Sequence, residues 1–516
     1  MKSILGRQAV LEQCPEILTD ESRFSYGIPD EVWFPETNED LHEVMRRAAK
    51  EKIPVTLSGA RTGITAGAVP PEGGMVISFS HMNRIIRCEM SFEGTPILFC
   101  QPGITLTTIA EFLENPQNWK YAVAGSELLP AGKYFYPPDP TEMTAQLGGT
   151  VANNASGARS YYFGPTRSHV QSLDIILATG DKIGIERGEM ISDKWNVTLG
   201  DTTISVPLPN FPRAQVKNAT GFYSGSQLNP TDLFIGSEGI LGAFSLIGIR
   251  LLEKPQFLSG LSFFPSRSTA FDFADFLRNE QHIAAVEYFD VSVLGLFRSE
   301  NKPSSVDIPP IPEDLHCAVY WEYIESQDSP FETVFDTWET KLNECGSSFE
   351  NTWSGFEAAE SKKLKMFRHA VPEMVNTTVA ANKKTCSSVR KIGTDSALPS
   401  SQFRSWFDSC VSRIEEAGIQ YAAFGHLGDY HIHINMLPRS EEQLQNSLSL
   451  YHDFMVDACK RGGTISAEHG IGKLKSGLLE CMFSKEALEQ MWAVKRALDP
   501  YNLVNRETLL KTDANE

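Results

Sequence analysis

The sequence predicts an α+β protein of several domains, with an antiparallel sheet in its C-terminal half, and three observations carry that prediction. The chain has 516 residues, 41% of them apolar and 10% aromatic, which is material for two to four domains with sizeable cores. Residues 30 to 113 run as strand, helix and glycine loop in a βα pattern. From about Gln256 the texture changes to mixed strands and helices, and two short histidine-bearing stretches near residue 430 flank a tight turn in the manner of a hairpin.

Taken in order, Phe34 to Thr37 precede a run from Asn38 to Glu51 in which Leu41, Val44, Met45 and Ala48 recur at helical spacing, with Thr37 or Asn38 as N-cap. A strand, Pro54 to Leu57, should follow and lead into the loop Ser58-Gly59-Ala60-Arg61-Thr62-Gly63, whose backbone N–H groups and hydroxyls suit a pyrophosphate. Asn83 to Gly103 alternates apolar and polar residues, and Ile104 to Leu113 reads as a short helix. The apolar window Leu233 to Leu252 carries Glu238, Arg250 and glycines, so buried strands and a turn are expected there rather than a membrane span. Farther on, Ser262 to Asp290 has a βαβ-like rhythm and Asn301 to Pro312 reads as a Pro/Ser-rich surface loop. Phe331, Val334, Phe335, Trp338 and Leu342 then predict an amphipathic helix behind Ser329 and Pro330.

Charge and cysteine usage exclude several classes. The 46 basic and 65 acidic residues give a net charge of −19, which repels nucleic-acid backbones and anionic lipid. Nine cysteines lie far apart with no Cys-x-x-Cys, which argues for a reducing compartment and against an iron–sulfur cluster. The N-terminal twenty residues have neither the apolar core of a signal peptide nor the Arg-rich bias of a transit peptide, so the cytoplasm is expected.

Two stretches carry chemistry. In Pro137 to Thr166, Gly148, Gly149 and Gly157 allow close backbone approach, and Asp139, Thr144, Asn153, Asn154 and Ser156 supply short polar groups. That suits a nucleotide cofactor; the plainer alternative is a loop whose small residues serve only turns. Near the C-terminus, four of the eleven histidines fall in GHLGDYHIHIN, 425 to 435, and in the Glu-His-Gly at 468 to 470. A strand over 430 to 437 puts His431, His433 and Asn435 on one face, and the hairpin brings His426 beside His433. Glu468 then completes a three-ligand metal site with an open position. The alternative is that these histidines are satisfied polar groups on a half-buried sheet.

Over residues 30 to 255 the loop at 58, the 137–166 stretch, KNATGF at 217 to 222 and GSEGILG at 236 to 242 resemble, in order, the FAD-binding domain of the vanillyl-alcohol-oxidase type of flavoprotein. The resemblance implies a two-part FAD-binding domain over 1–255, with Ser58, Gly59, Ala60, Arg61, Thr62 and Gly63 at the pyrophosphate. It puts Pro138, Asp139, Thr144, Gly148, Gly149, Asn153, Asn154, Gly157 and Gly164 along the flavin, and Glu238, Gly239 and Ile240 near the nucleotide. Arg61 stands where family members usually have glycine, and its charge suits a pyrophosphate. No histidine lies in the loop, so the FAD is expected to be non-covalent.

The C-terminal half resembles the partner domain of FAD-linked D-2-hydroxy-acid dehydrogenases of the D-lactate, glycolate and D-2-hydroxyglutarate type, through GHLGDYHIHIN, Glu-His-Gly and ALDPYNLVN at 497 to 505. This implies a substrate- and metal-binding cap over 256–460 and a segment, 461–516, that returns to the flavin domain. It carries the role of metal ligand onto His426, His433 and Glu468, that of base onto His469, and substrate contact onto Asn435. Arg368 matches an arginine that pairs with the substrate carboxylate, its alternative being a solvated helix charge, and Asn505 is expected to face the flavin. His431 and Tyr430 replace the family's asparagine and glycine, which alters the substrate pocket wall or adds a fourth nitrogen.

The implied activity is oxidation of a D-2-hydroxy acid to the 2-oxo acid, with hydride passing to flavin N5. A divalent metal (Zn, Mn or Fe) would chelate and acidify the hydroxyl, and His469 would take its proton. Where 2-hydroxyglutarate enzymes commonly have the lysine of Lys-x-Asp-x-x-x-Pro, this chain has Gly393, with Lys391 two residues upstream, so a D-lactate-like monocarboxylate is favoured. The expected partners are the hydroxy acid and an electron acceptor, whether quinone, electron-transfer protein or cytochrome. A homodimer is the assembly considered, in the cytoplasm or peripheral to the inner face of a membrane. The rival readings are a non-redox flavoprotein of the alkylglycerone-phosphate synthase type and a non-catalytic flavin subunit for electron relay.

Overall fold

Three sheets organise the chain in a computed structural model that describes residues 1–298 and 311–511. Residues 301–310, most of the expected Pro/Ser-rich loop, lie outside the described residues. The first sheet has strands Lys2–Leu5, Glu31–Phe34, Met75–Ser78 and Val55–Ser58 in that spatial order, the last three mutually parallel. Helix Asn38–Glu51 makes the crossover between Glu31–Phe34 and Val55–Ser58. Its N-terminus is a capping box in which the Thr37 hydroxyl accepts from the Asp40 N–H and the Asp40 carboxylate accepts from the Thr37 N–H. Leu41, Val44, Met45 and Ala48 are the buried face, as their spacing predicts.

The second sheet is antiparallel, in the order Ile85–Met90, Pro96–Cys100, Ala243–Arg250, Val170–Ile176 and Lys182–Glu186. The predicted short helix is Leu106–Glu114, capped by the Thr105 hydroxyl. The apolar window at 233 differs from expectation at its start, where Thr231–Phe234 is a short helix; the strands Ala243–Arg250 and Leu252–Glu253 follow it. No helix among the described residues is long and apolar enough to cross a membrane. All nine cysteines are free thiols.

The third sheet confirms the antiparallel expectation. It has seven strands in the order Thr352–Ser354, Gln256–Phe264, Cys317–Glu325, Ile283–Phe289, Tyr421–Gly425, His433–Met436 and Ile392–Gly393. The βαβ-like rhythm is there, but Cys317–Glu325 inserts between the two strands that generate it. The helix expected behind Ser329 starts later, as Glu332–Glu344. Ser329 donates its N–H to Ser326 Oγ and shares a second bond with it through the hydroxyls, so its side chain is committed to a turn rather than a cap.

Candidate active site

A cleft runs between the loop after strand Val55–Ser58 and the glycine-rich stretch around 140 to 156. Gly59, Ala60, Arg61, Thr62, Gly63, Gly148, Gly149, Asn153, Glu238, Gly239 and Asn505 line it, and so do Glu468 and His469. Thus the candidate cofactor loops and the candidate base share one cleft. A Cβ on Gly149 would meet nothing within 4 Å, and Gln146 Oε1 in the wall is buried without a donor. Open room beside glycine backbone, with an unsatisfied acceptor, fits an extended cofactor such as FAD.

Asn505 ties the cleft floor together. Its Oδ1 accepts from the Leu57 N–H at 2.8 Å and its Nδ2 donates to the Glu238 carbonyl at 2.9 Å. Glu238 is held in the left-handed region at φ 54°, a conformation that costs energy outside glycine and persists where surroundings fix it. Its carboxylate accepts from the Ile471 and Gly472 N–H groups at 2.7 and 2.6 Å, so it anchors the segment just after His469. Lys473, buried nearby, donates to Thr508 Oγ1 and to the carbonyls of Ala66 and Gly67. Burial lowers its pKa to about 8.

The histidine cluster assembles from the hairpin. Strand Tyr421–Gly425 ends at His426, residues 427 to 429 turn, and Tyr430 adopts φ 50° before the chain re-enters the sheet at His433. His426 Nε2 lies 3.1 Å from Glu468 Oε1, and His433 Nε2 lies 3.7 Å from Glu468 Oε2. The opposite ring nitrogens are both engaged, His426 Nδ1 with Glu287 and His433 Nδ1 with the Thr394 carbonyl at 3.1 Å. Two imidazoles fixed through Nδ1 and presenting Nε2 to one carboxylate form a donor set suited to a divalent metal. The candidate ligand atoms of His426, His431, His433 and Glu468 all lie within 4.8 Å of one another.

Lys217 and the His426 imidazole stand against the Glu468 carboxylate. Burial opposes protonation of His426, but the Glu468 charge, reinforced by Glu287, raises it to about 10. Burial pushes Glu468 up, yet His426 and then Lys217 hold it well below the usual carboxylate range. Lys217 Nζ bonds Glu468 directly and lies 3.2 Å from Asp429. Burial lowers His433.

Asp395 organises the Glu-His-Gly loop from behind. Its carboxylate accepts from the backbone N–H groups of Glu468 (3.2 Å) and His469 (3.1 Å), from Ser466 Oγ (2.7 Å) and from Lys475 Nζ (2.8 Å). His469 Nδ1 lies 3.2 Å from the same carboxylate, and the imidazole stacks on His433 with centroids 5.0 Å apart. Burial works against ionisation of Asp395, but His469 and Lys475 hold it well below the carboxylate range.

Several expected site residues sit elsewhere. His431, expected against substrate, is 0% exposed, and Asn435 is 4% exposed with its amide donating to the Ala422 carbonyl. Neither lines the cleft: Asn435 bonds the neighbouring strand, whereas the His431 ring lies with its centroid 4.4 Å from that of His433 and its Nε2 3.2 Å from Asp395 Oδ1, which puts a further nitrogen beside the candidate metal ligands. Burial, with the His433 charge, lowers His431 to about 3. Arg368 does not line the cleft: Glu287 accepts from its Nε and Nη2 at 3.2 and 3.0 Å. It sits on helix Ala358–Lys383, where Pro372 removes the N–H that would bond the Arg368 carbonyl.

Among the expected cofactor residues, Thr144 is exposed and bonds Glu142, while Asn154 accepts from the Arg167 N–H. Pro138 and Asp139 lie behind the wall; a Cβ on Gly157 would come within 2.0 Å of the Asp139 carbonyl, so that glycine serves packing. Ser58 and Ile240 are buried beneath the loops, and Gly164 ends the short helix Ser160–Phe163 at φ 80°. Sequence reasoning missed Asp395, Glu287 and Lys217. A buried acid inside the apolar strand IAAVEYF signals that Glu287 must be paired, and the other two lie in quoted motifs without an assigned role.

Fold and cleft define a flavoprotein with a two-part FAD-binding domain of the vanillyl-alcohol-oxidase type. Residues 256–509 match the model described as "FAD linked oxidases, C-terminal domain", and residues 29–132 and 126–184 match "FAD binding domain". The chain belongs to the FAD-linked oxidases, a family of oxidoreductases. Its relatives include the glycolate oxidase subunit GlcD of Bacillus subtilis, 24% identical with 95% of this chain and 91% of that one covered. D-2-hydroxyglutarate dehydrogenase of Stutzerimonas stutzeri is 24% identical, with 98% of each chain covered. D-lactate dehydrogenase of Anaerostipes hadrus is 26% identical, covering 97% of this chain and 94% of that one. A solved alkyldihydroxyacetonephosphate synthase shares the fold at 14% identity and a TM-score of 0.61, covering 93% of this chain and 77% of that one.

Proposed function

We propose that the protein oxidises a D-2-hydroxy acid to the 2-oxo acid with FAD and a divalent metal, and that it prefers a D-lactate-like monocarboxylate. The observation that carries this reading is that Glu468 and His469 line the cleft of the cofactor loops while Glu468 also meets His426 and His433. The relatives named for glycolate, D-lactate and D-2-hydroxyglutarate support the substrate class.

When bound, the FAD supplies a two-electron oxidant and the metal supplies Lewis acidity at the hydroxyl. The loop at 58 to 63 and the glycines at 148 and 149 would hold the FAD without a covalent bond, and His426, His433 and Glu468 would hold the metal. His469 accepts the hydroxyl proton at Nε2, because Asp395 accepts the Nδ1–H and stabilises the imidazolium that forms. Glu287 and the Thr394 carbonyl fix the ligand imidazoles so that little reorganisation is needed. Arg368 pairs with Glu287, which in turn holds His426 Nδ1, so it steadies the ligand set from outside the cleft. Gly393 supplies no cation for a second carboxylate, which favours a monocarboxylate. Reoxidation falls to an electron carrier, which is a quinone, an electron-transfer protein or a cytochrome.

Steady-state oxidation of D-lactate with a dye acceptor tests the reading. Turnover should vanish with a chelator and return with a stoichiometric divalent ion; full activity in demonstrably metal-free protein would remove the metal from the reaction.

A further inference from the structure

A second cleft, of about 940 Å³, shares Ser156 with the flavin cleft and reverses the sign of the molecule. The chain carries −19, yet Arg167, Arg213, Lys217 and Arg278 line this cleft against one carboxylate, Asp429. Two of those cations are internally compensated: Lys217 pairs with Glu468 and Asp429, and Arg167 with Asp232. Arg213 and Arg278 form no ion pair with a described carboxylate, and Arg213 Nε and Arg278 Nη1 are buried without an acceptor.

Each of these two guanidiniums is instead laid over an aromatic ring, Arg213 over Tyr223 at 4.6 Å and Arg278 over Tyr430 at 3.9 Å. Burial, with the Arg167 charge, lowers Arg213 to about 10, which leaves it protonated at neutral pH. Asn218 adds a buried Nδ2 donor, also without an acceptor. A partly desolvated guanidinium without a counter-ion is unfavourable, whereas a planar oxyanion would satisfy its donors in pairs. Arg213, Arg278 and Asn218 present unmet donors, while the one acid of the cleft, Asp429, has Lys217 Nζ 3.2 Å from its Oδ2, so the partner these donors lack is an acceptor.

We propose that this cleft is a binding site for a small, multiply charged oxyanion, either a polycarboxylate or a phosphate ester, held by Arg213 and Arg278 and separate from the hydroxy-acid site.

Calorimetric titration of the flavin-loaded protein with citrate, and separately with inorganic phosphate, at low ionic strength tests it. At least one probe should bind saturably at a single site, and which one does so distinguishes carboxylate from phosphate chemistry. Arg213→Ala with Arg278→Ala should weaken that binding at least tenfold while leaving the flavin absorbance unchanged. Should the alanine pair not fold, Arg213→Gln and Arg278→Gln made singly carry the same comparison. The proposal is overturned if neither probe saturates, if the variants bind as tightly as the parent, or if D-lactate displaces the probe competitively.

Discussion

His469 and His433 make separable predictions because one holds a proton in the proposed reaction and the other a metal. His469→Ala should lower kcat by a hundred- to ten-thousand-fold, roughly the contribution of a positioned base, with a far smaller change in KM. A loss under about threefold in steady-state assays would place the base elsewhere. His433→Ala should abolish turnover and remove the divalent ion from elemental analysis while the visible flavin spectrum persists, since no cleft loop holding the FAD depends on that side chain. Loss of the flavin along with the ion would show the two sites to be one cooperative unit. The His469 and His433 identities were legible because histidine is sparse and clustered; the supporting Asp395 was not, because nothing in the local sequence shows that one carboxylate gathers four donors from residues 466 to 475.

At the scale of elements, the edge strand Ile392–Gly393 bears on specificity. A Cβ at Gly393 would approach Asn435 Oδ1 to 2.8 Å, so the position packs tightly against the neighbouring strand and carries no cation. The ratio of kcat/KM for D-lactate over D-2-hydroxyglutarate should exceed about tenfold, a modest fraction of the cost of burying an unpaired carboxylate. A preference for the diacid would show that Lys391 or an arginine supplies the charge. Periodicity found the elements here better than their ends. The helix at 38 was readable from Thr37 because its cap is local, whereas Ser329 failed as a cap because it is committed to Ser326. The turn at Tyr430 delays the regular strand to His433, yet His431 stays beside His433 with ring centroids 4.4 Å apart.

At the scale of the whole molecule, Arg159 from the glycine-rich cofactor stretch makes a bidentate pair with Glu322 of the large sheet, at 2.7 and 3.2 Å. Burial penalises the Glu322 charge, but Arg159 overrides it and lowers the carboxyl from 4.5 to about 2. Because the folded value is depressed, the stabilisation is full above about 4.5 and is lost as pH falls toward about 2. By linkage it amounts to roughly 3 kcal/mol. Urea midpoints measured from pH 6 down to pH 2.5 should therefore decline, and Glu322→Gln should flatten the decline while lowering the midpoint at pH 6. An unchanged midpoint at pH 6 would show that the pair does not hold the sheet to the cofactor stretch.

The central claim is that one cleft joins a flavin to a base and metal set up for a D-2-hydroxy acid, and anaerobic reduction of the bound flavin tests it most directly. Mixing flavin-loaded, metal-loaded protein with excess D-lactate in the absence of oxygen should bleach the flavin absorbance in a single exponential, L-lactate should leave it oxidised, and His469→Ala should slow the D-lactate phase at least a hundredfold. A flavin that stays oxidised with D-lactate, glycolate and D-2-hydroxyglutarate alike would contradict the account.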